Sequence, residues 1–149
     1  MAQISLTSRL KKVQDDLDKI RDQFLTNMAD ELVQESVKTV DTGAYITSHS
    51  IRTTRGGGRS RTSHNKPRGQ DPQFEAAQSL SQLYEDIASI PKDQVQVFLT
   101  NNAPHANVVE YGNATWKKYP NGYKIYESLR NRATSVHLKN AIISVKGSP

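Results

Sequence analysis

Between about Ser5 and Val40 the chain contains no glycine or proline. Leu10, Val13, Leu17, Ile20 and Phe24 recur there at alternating three- and four-residue steps, and Met28, Leu32 and Val37 continue the row. This period predicts an amphipathic helix over residues 8–40, about 45–50 Å long if unbroken, with Ser8 as its N-cap. The apolar stripe is narrow and charged residues fill the opposite face. Two readings stay open. Either the whole stripe faces the core, or its first half overhangs the domain and packs on a neighbouring subunit. Residues 45–54, with Tyr45, Ile46, Ser48, Ser50, Ile51, Thr53 and Thr54, have the β-branched and hydroxyl content of a strand. A second helix is expected over 72–89. Asp71 is its N-cap, Pro72 its first residue, and Phe74, Ala77, Leu80, Leu83, Tyr84 and Ile87 its apolar face. It stops before Pro91.

The alternation Val95-Gln96-Val97-Phe98-Leu99-Thr100 predicts a half-buried strand over 94–100, with Val95, Val97 and Leu99 on one face. Asn101 and Asn102 end it and offer turn or cap oxygens. Pro104 suits the first turn of a short helix, and Gly112 suits its left-handed close. On that helix Val108 and Tyr111 share a face, while His105 and Glu110 point elsewhere. Residues 113–124 hold Trp116, Tyr119 and Tyr123 around Pro120-Asn121-Gly122, which reads as one or two short strand pieces with a hairpin turn, the aromatics packing over the core. Leu129, Ala133, Val136 and Ile143 mark a last helix over 124–143. The expected fold is therefore α+β: a long N-terminal helix and two further helices on a small, mostly antiparallel sheet, with a long polar loop.

Composition narrows this picture. The 149 residues are read as a single domain, 1–149, and 35% hydrophobic content with a mean hydropathy of −0.69 leaves it a modest core. A chain this polar gains stability by burying surface against copies of itself or a partner. It has no cysteine, hence no disulfide framework or thiolate chemistry, which suits a reducing cytoplasm. No apolar run approaches the roughly 18–20 residues of a membrane span, so no membrane partner is expected. The N-terminus lacks the apolar core of a secretory signal.

The net charge of +5 is segmented: −1 over residues 1–40, +4 over 41–72, −4 over 73–112 and +6 over 113–149. Such alternation fits head-to-tail self-association better than one contiguous basic face for nucleic acid. Within the second segment, residues 55–70 form a basic arm with no apolar side chain. Arg55, Arg59, Arg61, Lys66 and Arg68 are its candidate interaction residues. They would contact phosphates, or the arm would be a mobile hairpin tip that orders on assembly. It carries no aromatics for base stacking, and Gly56-Gly57-Gly58 lacks the Lys-Ser/Thr ending of a phosphate loop.

Catalytic groups do not converge in the sequence. His49, His64, His105 and His137 are scattered without metal-ligand spacing. Asp41-Thr42-Gly43 occurs once, whereas aspartic proteases need two carboxylates sharing a proton. It reads as a helix-ending turn, with Gly43 at positive φ and Asp41 bonding nearby amides. No catalytic residue, cofactor or metal is expected.

The segment Asn101-Asn102-Ala103-Pro104-His105-Ala106…Glu110-Tyr111-Gly112, together with Asp41-Thr42-Gly43 after a long first helix, resembles the tail-completion (head–tail joining, or neck) proteins of long-tailed bacteriophages. His105 stands where that family usually has Tyr. The resemblance implies a structural virion protein without cofactor, built into the neck and assembled in the host cytoplasm. It implies a homo-oligomeric ring, sixfold or alternatively twelvefold, between the head-side connector or stopper and the tail-terminator or tail-tube proteins. DNA would pass through the channel without sequence-specific binding. The alternatives are a tail-terminator protein of the same neck region, or a small basic nucleic-acid-binding protein.

Overall fold

The computed structural model describes residues 5–41, 43–61, 67–113, 115 and 119–147. The fold is α+β: α1 (Leu6–Ser36), β1 (His49–Arg52), α2 (Pro72–Ala88), β2 (Phe98–Asn101), α3 (Ala106–Tyr111), α4 (Ile125–Arg132) and α5 (Lys139–Lys146). The two strands pair antiparallel, His49 opposite Asn101 and Arg52 opposite Phe98. One core joins Leu25, Met28, Ala29, Leu32 and Val33 of α1 to Tyr45, Ile46, Ile51, Leu83, Ile87, Val109, Ile125 and Leu129.

Helix α1 starts slightly earlier than the pattern predicts. Ser5, not Ser8, is the N-cap, its hydroxyl accepting from the Ser8 amide at 3.1 Å. After Ser36 the chain tightens into a 3₁₀ turn, Val37–Thr39. Burial on α1 begins only at Leu25. Leu6, Leu10, Val13 and Leu17 remain 54–72% exposed, so the front half of the stripe faces outward. Asp71 caps α2 as expected, accepting from the Gln73 amide at 3.0 Å, with Pro72 at the first position.

The strands are shorter than their patterns. The 45–54 stretch opens as a 3₁₀ turn, Ile46–Ser48, because its hydroxyls bond the backbone four residues back: Thr47 to the Gly43 carbonyl and Ser48 to the Ala44 carbonyl at 2.6 Å. Only His49–Arg52 is left to pair. Four residues on β1 can order only four on its partner, so residues 94–97 stay outside the ladder and Val95 is 95% exposed. Among the described residues of 113–124 there is no strand. Tyr119–Gly122 does form a turn, Gly122 N–H donating to the Tyr119 carbonyl at 2.9 Å, but it leads directly into α4. Trp116 lies outside the described residues. The last helix runs on to Lys146, with a π-helical stretch at Ala133–Leu138 between α4 and α5.

Candidate functional site

The Asn101–Gly112 segment is a junction between the sheet, α3 and α4. At the end of β2 the Asn101 Oδ1 accepts from the Ala103 amide at 3.0 Å, an Asx turn, and its Nδ2 donates to the Tyr45 carbonyl at 2.8 Å. The Asn102 amide donates to the Gly57 carbonyl, and its own carbonyl accepts from Ser60 at 2.7 Å. Pro104 and His105 form a turn just before α3, which begins at Ala106 rather than at the proline. His105 is exposed, and partial desolvation lowers the affinity of its imidazole for a proton. Val108 and Tyr111 share the outer face of α3, and Glu110 points inward.

Glu110 is 8% exposed and caps a helix remote in sequence. Its Oε2 accepts from the Tyr126 amide at 3.0 Å and its Oε1 from the Glu127 amide at 2.9 Å. Both amides belong to the first turn of α4. The residue before that turn, Lys124, is left-handed (φ 52°, ψ 44°) and gives no side-chain cap. A carboxylate from α3 therefore satisfies amides that the helix itself leaves open, at the positive end of its dipole. Two backbone bonds lock the same crossing: Tyr123 N–H to the Val109 carbonyl at 2.8 Å and Lys124 N–H to the Glu110 carbonyl at 3.1 Å. Gly112 closes α3 at positive φ, but at φ 87°, ψ −176° it is extended rather than in the left-handed helical conformation expected, and that region is essentially restricted to glycine. A β-carbon there would stand 2.2 Å from the Pro120 carbonyl oxygen. The two segments meet at backbone contact distance.

Behind this junction lies a polar hub that the sequence did not announce. His49 is 1% exposed. Its Nε2 is 2.8 Å from Ser36 Oγ, and its Nδ1 is 2.8 Å from Tyr126 Oη and 3.1 Å from Asn101 Nδ2. Ser36 donates its own hydroxyl hydrogen to the Leu32 carbonyl at 2.6 Å, so it can only accept from His49. That fixes the proton on Nε2 and leaves Nδ1 as acceptor for Tyr126 or Asn101. Burial pushes the imidazole down to about 3 and holds the Tyr126 phenol well above its usual range, with Tyr45 and Glu110 adding to the latter. A Ser–His contact at this distance has the outline of a nucleophile and its base. Here the serine is fully buried, its proton points away from the histidine, and the histidine is a weak base.

Beside the hub a cleft of about 220 Å³ is lined by Tyr45, Thr100, Asn101, Asn107, Glu110 and Arg130, among others. The buried Tyr45 Oη and the Thr100 Oγ1 have no hydrogen-bond partner among the described residues.

The other predicted residues are spread over the chain. Asp41 ties the base of the arm: its Oδ1 accepts from the Gly69 amide at 3.0 Å and its Oδ2 from Arg68 Nε at 2.6 Å. The Gly69 amide and then the Arg68 guanidinium hold its carboxyl below the usual range. The bonded amide is thus a distant one, not the local one expected. Gly43 has the expected positive φ, 82°, and the buried Glu75 carboxylate of α2 occupies the space a β-carbon would need. Thr42, His64 and Lys66 lie outside the described residues.

Arg59 and Arg61 bind their own chain. Arg59 forms a two-pronged pair with Asp86, 2.8 Å on each side, and donates to the His49 carbonyl at 2.9 Å. The Arg59 and Arg61 amides donate to Ser50 Oγ and Ser48 Oγ, both at 2.8 Å, so this part of the arm runs back along β1 with hydroxyls in place of strand carbonyls. Arg55 sits over the Phe98 ring at 5.6 Å. In the π stretch, His137 Nε2 lies 3.2 Å from Glu31, which also pairs with Arg132 at 2.6 Å. No cluster of three or more His, Asp or Glu side chains that could hold a metal ion exists among the described residues.

Comparison with known proteins returns no matching family model, no matching curated protein and no matching solved structure.

Proposed function

We propose that this chain is a structural virion protein of a tailed bacteriophage: a tail-completion or neck protein that forms a ring joining the tail to the DNA-filled head. The resemblance of Asp41–Gly43 and Asn101–Gly112 to that family names the role. The observation that carries the reading is the outward row of Leu6, Leu10, Val13 and Leu17 on a helix that overhangs its own core. Exposed apolar rows of this kind mark surfaces made to be covered. The resembling residues support an architectural role as well. Asn101, Glu110 and Gly112 shape one junction, and their polar groups bond within the chain. No reaction is assigned to them, and the reading requires no cofactor.

The ring would surround the DNA channel, with the connector or stopper on the head side and tail-terminator or tail-tube proteins on the other. Sixfold symmetry comes from the resemblance alone; a subunit that follows the connector above it would give twelve. The nucleic-acid-binding alternative is weakened by Arg59 and Arg61, whose donors already serve Asp86, His49 and Thr47. The test is a cryo-EM map of the assembled particle. Density for this chain in a closed ring on the channel axis supports the proposal. A monomeric or dimeric decoration off that axis refutes it.

A further inference from the structure

We infer that the outward stripe of α1 docks into a groove on a second copy of this chain, between the rear half of α1 and α2. This deepens the ring reading and rests on it. The groove, about 620 Å³, has a floor of Val33, Val37, Ala76 and Leu80, and Asp30 and Tyr84 stand on its rim. Its floor is apolar at the spacing of two packed helices, the form that accepts a third helix side-on. The stripe offers Leu6, Leu10, Val13 and Leu17 at the four- and three-residue steps of a helix seam.

Reach decides that the contact is between molecules. Leu10 and Val33 lie on one unbroken helix, about 35 Å apart along its axis. The stripe therefore cannot fold back into its own groove. A stripe that meets a different surface of its neighbour makes a head-to-tail contact, which closes into a ring or runs on as a filament.

Charge selects the occupant. The stripe residues 6–17 carry Arg9, Lys11 and Lys12 against Asp15 and Asp16, with Lys12 paired to Asp16, so the basic excess lies at the outer end, at Arg9 and Lys11. The walls of the groove are the reverse. Residues 30–37 carry three acids and no base, and residues 72–88 carry three acids and no base. Glu75 is buried, Asp86 is held by Arg59, Glu31 by Arg132 and Glu35 by Lys38, so Asp30, which also accepts from the Tyr84 hydroxyl, and Glu85 remain to face a partner. A basic helix end and an apolar groove with Asp30 on its rim and Glu85 beside it are complementary in charge.

The chain has no cysteine, so single cysteines report contacts cleanly. Full-length Leu10→Cys and Gln34→Cys proteins, both at exposed positions, are mixed at about 1 mM and oxidised, with circular dichroism to verify folding. The expected result is a Leu10→Cys/Gln34→Cys disulfide at least about tenfold above either homodimer, as for pre-docked thiols. Its excess should fall with added salt. Electron microscopy of the unmodified chain at the same concentration reads ring formation separately. Rings without the mixed disulfide overturn the groove docking and leave the ring reading intact. A dominant Leu10→Cys homodimer overturns it in favour of stripe-to-stripe pairing. Monomers with no enriched disulfide overturn both.

Discussion

Replacing Glu110 by Ala should destabilise the protein without touching any surface that assembles. The carboxylate satisfies two amides of the first turn of α4, at 3.0 and 2.9 Å, from an almost fully buried position. Loss of an ordinary N-cap side chain costs about 1 kcal/mol, and up to about 2. Hydrogen bonds to a charged group contribute about 1.5–3 kcal/mol each, and orphaned buried amides forfeit that and regain no water. The two bonds share one carboxylate and one helix end, so they do not add in full; about 3 kcal/mol is the expected total. For a domain of this length that lowers the melting temperature by roughly 6–12 °C. Glu110→Gln keeps one oxygen, loses the charge at the helix dipole, and presents an NH₂ to the other amide. It should lose about 1.5 kcal/mol. Urea unfolding followed by far-UV circular dichroism measures both, and amide exchange at Tyr126 and Glu127 should accelerate selectively in the Ala variant. Below its melting temperature each variant should still associate like the parent. If Glu110→Ala unfolds within about 0.5 kcal/mol of the parent, or if those two amides stay protected, Glu110 is not the cap of α4.

Gly112→Ala should be worse, losing at least about 4 kcal/mol, because strain at φ 87° adds to a β-carbon 2.2 Å from a carbonyl oxygen; soluble yield and urea midpoint read it. His49, whose imidazole burial pushes down to about 3, stays neutral when folded and takes a proton near pH 6.5 when unfolded. Stability should therefore fall as pH drops below about 6.5, by up to about 1.4 kcal/mol per unit toward pH 3, and His49→Gln should flatten that slope in urea titrations at pH 7, 5.5 and 4.5. Arg59→Ala should cost about 2 kcal/mol by stranding the half-buried Asp86, whereas Arg55→Ala, which only caps the Phe98 ring, should stay within about 0.5 kcal/mol in the same assay.

Features governed by near neighbours were legible in the sequence. Asp71-Pro72 opened α2 because the cap and the fixed φ act within a few residues. Asn101 ended β2 through its own Asx turn, and Gly112 closed α3. Features decided by distant partners were not. The alternation at Val95 is a true strand pattern, but the Ser48 and Thr47 hydroxyls had shortened the strand it needed. Glu110 looked like a projecting side chain because its amides lie sixteen residues further on, beyond a turn whose crossing only the folded chain displays. Ser36, His49 and Tyr126 come from α1, β1 and α4, and no local spacing joins them. Arg59 read as part of a free basic arm. Its role depends on Asp86 of α2 and on the His49 carbonyl and Ser50 hydroxyl of β1, which compete with solvent for its donors.

A single inversion runs through the molecule. The polar residues that looked like a site bond within their own chain: Asn101 to Tyr45 and Ala103, Glu110 to α4, Asp41 to the base of the arm, Arg59 to Asp86 and His49. Several apolar residues that looked like core point outward, namely Leu10, Val13, Leu17, Phe74 and Val95, and Leu6 joins them. Burying one Leu or Val side chain contributes about 1.5–3 kcal/mol. A stripe of four, discounted for what stays exposed at an interface and for the cost of association, still leaves a sizeable driving force toward contact. The polar junctions therefore hold the fold rigid, and the apolar stripe is the part of the chain with free energy left to gain. That gain is available only when something covers the front half of α1, where Leu6, Leu10, Val13 and Leu17 stand exposed.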